Sequence, residues 1–315
     1  MEACYSQDKL NITSYDAVAI VTITLQAFAG MWINAFIVSV LCLAWLKKKS
    51  FNSNEKILLF LGCTRFCYLC ITWLYSFLSI IYPLCFYVHP IPQLLTAIQN
   101  FFNCSNLWVT AFLCGFYCIK IANFRHILFI YLKVKIDRIV PWLLLGSVLL
   151  SLVICILTYD VTNVTLSTNS TTLGNLWKLN VIMDEHSFPI FFIIGFVFAT
   201  AFVIVIVSAL LLLFSLWRHK RRMQTTSVKN LSMDAHIKAM KSILYFFLIY
   251  SINFTYLVLS LIYSANNENL VAILVLLFQY ALPAVHSLIL IFSNPKLEKT
   301  LLRTLPRVKC KVCMR

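Results

Sequence analysis

Four side-chain amides, Gln99, Asn100, Asn103 and Asn106, fall within about two turns of the stretch Leu94–Phe124, if it is helical, and that stretch is otherwise apolar. An amide donates and accepts, so a cluster of them can orient a small organic ligand through several directed bonds. Unpaired polar groups in hydrocarbon cost several kcal/mol, so the cluster predicts a polar cavity at one end of the stretch. For any single amide the competing reading is a bond between helices, worth about 1 kcal/mol. The other end carries Phe116-Tyr117 and then Lys120-Ile121-Ala122-Asn123-Phe124. The chemistry implied is reception of a ligand on one side and an effector contact on the other.

Arg65 is the one charged residue deep in an apolar segment. Such a charge is costly unless it meets acceptors or water, and by default it marks function. No acid lies in any apolar segment, so its expected acceptors are Asn34 and the hydroxyls and carbonyls near Ser287. The architectural alternative is a hydrogen-bonded knot that joins three helices, and a knot and a moving switch are compatible. Gln279 adds an amide at middle depth. Tyr250, Asn253 and Tyr256 share about two turns, and with Trp73 and Tyr75 they could line an aromatic cavity or simply pack. His286 without an acidic neighbour reads as a packing hydrogen bonder rather than a metal ligand or proton relay.

The elements that must position these groups are membrane helices. Of 315 residues 61% are hydrophobic and 12% charged, where a soluble domain carries about 25% charged. Apolar runs of about 20 residues each suffice to cross a bilayer. Seven are predicted: Ala17–Leu46, Ile57–Tyr82, Gln93–Ile119, Ile139–Thr158, Phe188–Phe214, Ser242–Tyr263 and Leu270–Phe292. The fold class is therefore an all-α, polytopic seven-transmembrane-helix bundle. Its parts are an extracellular N-terminus (residues 1–16), the helical receptor domain (17–292) and a cytoplasmic basic tail (293–315). In the tail, Leu297, Leu301 and Leu305 recur every fourth residue among Lys296, Lys299 and Arg303, the pattern of a short amphipathic helix on the inner leaflet. Cys310 and Cys313 follow as palmitoylation candidates or plain thiols.

The net charge of +15 raises nucleic acid as a partner. Its distribution excludes that and points to the lipid bilayer. Alternate inter-span segments hold 23 Lys and Arg on one side and 2, Lys9 and Lys178, on the other. Positive residues stay cytosolic, so the N-terminus is expected outside and the C-terminus inside. Sequons at Asn11, Asn163 and Asn169 fall on the predicted outside. The outer cysteines are Cys4 and Cys85, bridged or free; the outer segment 159–187 contains none. No cleavable signal peptide is expected. Enzyme motifs are absent, no metal or cofactor is expected, and the seventh segment has no lysine for a retinal Schiff base.

These residues together resemble the bitter taste receptors, the type 2 taste receptor family of G-protein-coupled receptors. The resemblance rests on Asn34-Ala35-Phe36-Ile37, Arg65, and Trp108 with Leu113, Phe116-Tyr117 and Lys120–Phe124. It continues through Ser215-Leu216-Trp217-Arg218-His219, Met223, Asp234 to Lys241, His286-Ser287-Leu288-Ile289-Leu290 and Asn294-Pro295-Lys296-Leu297. It implies a receptor for small bitter organic agonists, coupled to a heterotrimeric G protein with a gustducin-like α subunit. It implies a ligand contact at Asn103, and with the amide and aromatic positions already noted the expected ligand contacts are Gln99, Asn100, Asn103, Asn253, Tyr256 and Gln279, with structural or switch roles for Asn34, Arg65, Trp108, His286 and Ser287. G-protein contacts are implied at Tyr117, Lys120, His219, Lys220, His236 and Lys238. Gln99 and Asn253 stand where many members carry aromatics, which implies a more polar pocket. A small-molecule transporter or channel is the reading from another class; it would call for mid-span charges, broken helices or inverted repeats.

Overall fold

A chain in hydrocarbon has no water to satisfy its N–H and C=O groups, so apolar stretches close their own hydrogen bonds as helices. A computed structural model describes residues 14–82, 86, 90–122, 126–168, 188–224, 244–245, 247–252, 254–255 and 269–312. In chain order the helices are α1 (Ser14–Lys48), α2 (Ser53–Ile81), α3 (Ile91–Ile121), α4 (Ile127–Thr168) and α5 (Phe188–Gln224). Then come α6, described at 244–245, 247–252 and 254–255, α7 (Asn269–Ser293) and α8 (Pro295–Val312). There is no strand among the described residues. Helices α1 to α5 are each long and apolar enough to cross a membrane, and α7 meets α8 through a 99° bend. The chain is a multi-pass membrane bundle of the all-α class, with a short helix lying across its end.

Two helices outrun their expected spans by ten residues or more at one end at least. The fourth runs over 42 residues, Ile127–Thr168, rather than Ile139–Thr158. Toward its C-terminal end the hydroxyls of Thr158 and Thr162 bond to carbonyls one turn back, at Ile154 and Thr158, so polar side chains do not break the helix. At its other end Lys133, Lys135 and Arg138 can keep their charges in water while their stems cover apolar surface. The fifth continues ten residues past Phe214, to Gln224, where Arg221 sits 4.0 Å over the Trp217 ring. Hydropathy marks where the bilayer ends, but a helix goes on while its backbone bonds are made.

Helix α3 is the hub: it packs on α2, α4 and α5, while α1 packs on α2 and α7. Gly30 permits the close approach of α1 to α2, since a Cβ there would lie 2.7 Å from Leu69 Cδ1. One apolar cluster ties α1 to α4 and α7 together at the end of the bundle where α8 docks, and Leu297 of α8 is fully buried in it. Leu301 packs against the same cluster whereas Leu302 is exposed, so α8 is amphipathic in place. Lys296 also pairs with Glu55 in the first turn of α2, and Glu55 accepts the Asn52 N–H at 3.2 Å.

Candidate ligand cavity and its polar floor

The middle of the bundle holds polar side chains that must find partners, and four helices supply them. Arg65 on α2 is 3% exposed. Its Nη1 donates to Ser287 Oγ at 2.9 Å, and its Nη2 donates to Thr110 Oγ1 at 3.2 Å and to His286 Nδ1. A guanidinium cannot accept, so Nδ1 is the acceptor and the ring proton sits on Nε2. Each hydroxyl passes its own proton onward: Ser287 to Asn34 Oδ1 at 2.8 Å, Thr110 to the Asn106 carbonyl at 2.7 Å. Asn34 completes the chain through Nδ2 to the Gly30 carbonyl at 2.8 Å. Helices α1, α2, α3 and α7 are thus joined by one connected network, with the expected acceptors Asn34 and Ser287 both present. Asn34 is reached through Ser287, and Thr110 and His286 bind the guanidinium directly.

Directly over this network opens a cavity of about 70 Å³, open at its mouth and small beside the roughly 300–1,000 Å³ usual for small-molecule sites. Arg65 and His286 line it, and Asn103 and Asn106 of α3 face Gln279 of α7 in the same space. Phe202 of α5 and Phe254 of α6 stack 4.1 Å apart on its wall. Tyr250 anchors α6 to α3 through its hydroxyl, which donates to the Leu107 carbonyl at 3.0 Å. Pro283, inside α7, also lines the cavity. It lacks the N–H that would bond the Gln279 carbonyl, so α7 loses a ladder bond beside its cavity amide.

The sequence-predicted residues separate in space. Asn103 and Gln279 line the cavity. Gln99 interacts with Tyr68 of α2, a tyrosine that also interacts with Gln279 and lines the cavity. Asn100 instead bonds back to the Thr96 carbonyl at 3.2 Å within α3. Asn253 and Tyr256 lie outside the described residues, as do His236, Lys238, Asn11, Asn169, Cys4, Cys85 and Cys313. Asn163 lies in the last turns of α4. Trp108 packs against the cluster of α3, α5 and α6 that includes the lining residues Leu107, Phe198 and Tyr250, without itself lining the cavity. At the opposite end of α3 the Tyr117 hydroxyl donates to Asn54 Oδ1 at 3.1 Å, and Lys120 pairs with Asp137 of α4 at 2.7 Å. His219 and Lys220 belong to the extended end of α5. Trp73 bonds Thr24 and stacks on Phe77, in the neighbourhood of α1 rather than in the cavity lining.

Sequence reasoning missed Tyr68, Thr110, Phe198 and Phe202 as lining residues. Thr110 stands one helical turn after Asn106, so continuing the amide face by four residues finds it. The phenylalanines carry no such signal, because a pocket phenylalanine and a lipid-facing one look alike in an apolar run.

A helical bundle with a polar-floored cavity open at one end is the architecture of a seven-helix receptor. The chain is similar in fold to the crystal structure of squid rhodopsin, with a TM-score of 0.58 at 14% identity, covering 93% of this chain and 87% of that one. The chain belongs to the family described as taste receptor protein (TAS2R), which matches residues 12–309. It is similar to taste receptor type 2 member 9 of Homo sapiens, 31% identical over 306 residues that cover 95% of this chain and 96% of the relative. Taste receptor type 2 member 7 of Papio hamadryas is 32% identical over 284 residues, covering 88% and 89%.

Proposed function

We infer that this chain is a bitter taste receptor of the plasma membrane that signals through a gustducin-like heterotrimeric G protein. A small organic agonist enters from the outside and binds among Asn103, Gln279 and Gln99, and Asn100, Asn253 and Tyr256 are further contacts expected from the sequence. The observation that carries this reading is the continuity of cavity and network: the space between Asn103 and Gln279 ends on Arg65, whose bonds reach α3 and α7 and, through Ser287, α1. An agonist with different affinity for two arrangements of that network shifts their populations; equal affinity would shift nothing. The cytosolic ends of α3, α5 and α6 then present Tyr117, Lys120, His219, Lys220, His236 and Lys238 to the α subunit. The N-terminus lies outside with glycans at Asn11, Asn163 and Asn169, and residues 293–315 form the cytoplasmic tail.

Calcium release in cells that carry a chimeric gustducin-type α subunit, challenged with a bitter panel, tests the reading. The expected result is a response to at least one compound, altered by Asn103→Ala or Gln279→Ala. Silence from protein proven to be at the cell surface would overturn it, as would an agonist-driven current that needs no G protein.

A further inference from the structure

Arg65 brings a full positive charge to the cavity floor, and the groups around it do not neutralise that charge. The side chains bonded to it are two hydroxyls and an accepting imidazole nitrogen. None of the seven apolar segments contains Asp or Glu, so no carboxylate of the bundle interior can meet it. A cation in a low-dielectric interior is costly, and an anion in the same space offsets that cost strongly. The three bonds leave two of the five N–H donors of the guanidinium, one on Nη1 and the one on Nε, and each can donate to an anionic oxygen. The cavity leads to this charge, for Arg65 lines the same space as Asn103 and Gln279. Phe202 and Phe254, stacked on each other, add aromatic surface to the lining of that space.

We propose that the cavity floor is an anion subsite, in which Arg65 receives the single negative group of a small acidic ligand whose ring lies against Phe202 and Phe254. The same chemistry admits a small inorganic anion in its place. This rests on the cavity being the ligand site, and it adds the charge of the ligand that the site prefers.

The test is thermal unfolding of the purified full-length receptor in detergent, which reads binding without any signalling partner. Benzoate, its neutral counterpart benzamide, or chloride is titrated in at low buffer concentration, and matched additions of sodium gluconate, a bulky hydroxylated carboxylate without a ring, serve as the control for ionic strength. Benzoate is expected to raise the unfolding midpoint saturably, with no comparable shift from benzamide. Arg65→Gln is expected to abolish the benzoate shift. Asn103→Trp, which fills the approach but leaves the three Arg65 bonds in place, is expected to abolish it too and decides the matter if Arg65→Gln does not fold. A shift from chloride without one from benzoate keeps the subsite and assigns it to an inorganic ion. Equal shifts from benzoate and benzamide, no shift from either anion in folded receptor, or a benzoate shift that survives both substitutions would overturn the proposal. A receptor that fails this test and still releases calcium to a neutral agonist loses the anion subsite and keeps the function.

Discussion

Ser287 is fully buried and holds two helices to a third: its oxygen accepts from Arg65 while its proton goes to Asn34. Ser287→Ala removes both bonds and leaves buried polar groups on each side, at about 1–3 kcal/mol for each group left unpaired. The unfolding midpoint of the purified variant is expected to fall accordingly. Asn34→Ala on that background should cost less than it does alone, because the two residues share one chain of bonds, and a double-mutant cycle measures the difference. Thr64 tests the other side of the network, since its hydroxyl reaches Asn106 Oδ1 at 2.7 Å and also has acceptors in its own helix at Phe60 and Leu61. Thr64→Val therefore leaves the Asn106 oxygen to the cavity, and its effect is expected in agonist response curves more than in the midpoint. At this scale the sequence was legible where polarity is rare. Arg65, Asn34, Ser287 and Asn103 stand out because each is expensive in hydrocarbon, while Tyr68 and Phe202 are cheap there and give nothing away.

Two ion pairs fasten helices at the basic ends, and their burial sets them apart. Lys120 and Asp137, joining α3 to α4, keep 35% and 53% of their side chains exposed. An exposed pair is worth about 0–1 kcal/mol, so Asp137→Asn is expected to leave the unfolding midpoint nearly unchanged. Lys296 and Glu55 join α8 to α2, and the Glu55 side chain is only 12% exposed. Glu55 precedes the apolar stretch that starts at Ile57. Burial alone would raise its pKa, but the hydrogen bond from Lys296 and the one from the Asn52 backbone outweigh it and hold the carboxyl below its ordinary range. A depressed folded-state pKa means the stabilisation is present above the unfolded carboxylate pKa and is lost as pH falls through the folded value. Protease cleavage after the α8 basic residues is therefore expected to stay slow at neutral pH and to speed up only below the ordinary carboxylate range. Glu55→Gln should reproduce the fast cleavage at neutral pH. The α8 helix was visible in the sequence from Leu297, Leu301 and Leu305, but its docking was not, since leucine spacing says which face is apolar and not what covers it.

Across the whole molecule the decisive quantity is the asymmetry of charge, 23 basic residues on one side of the spans against 2 on the other. It leads to the expectation that an epitope at the N-terminus stains on intact cells and one at the C-terminus only after permeabilisation, the reverse pattern overturning the proposed orientation. Removal of Asn163 and Asn169 together by glutamine should sharpen and speed the receptor band on a gel if glycans sit there. The seven apolar runs, the all-α class and the family pattern were determined by the sequence, because a hydrocarbon solvent leaves a backbone few choices and its rules are written in single-residue polarity. Only the tertiary structure decided that Asn100 turns back onto its own helix while Asn103 faces Gln279, and that Asn34 reaches Arg65 by way of Ser287. Those outcomes depend on the rotation and separation of neighbouring helices, which are set by the packing of side chains distant in sequence; a one-dimensional pattern fixes the face of a helix but not what stands opposite it.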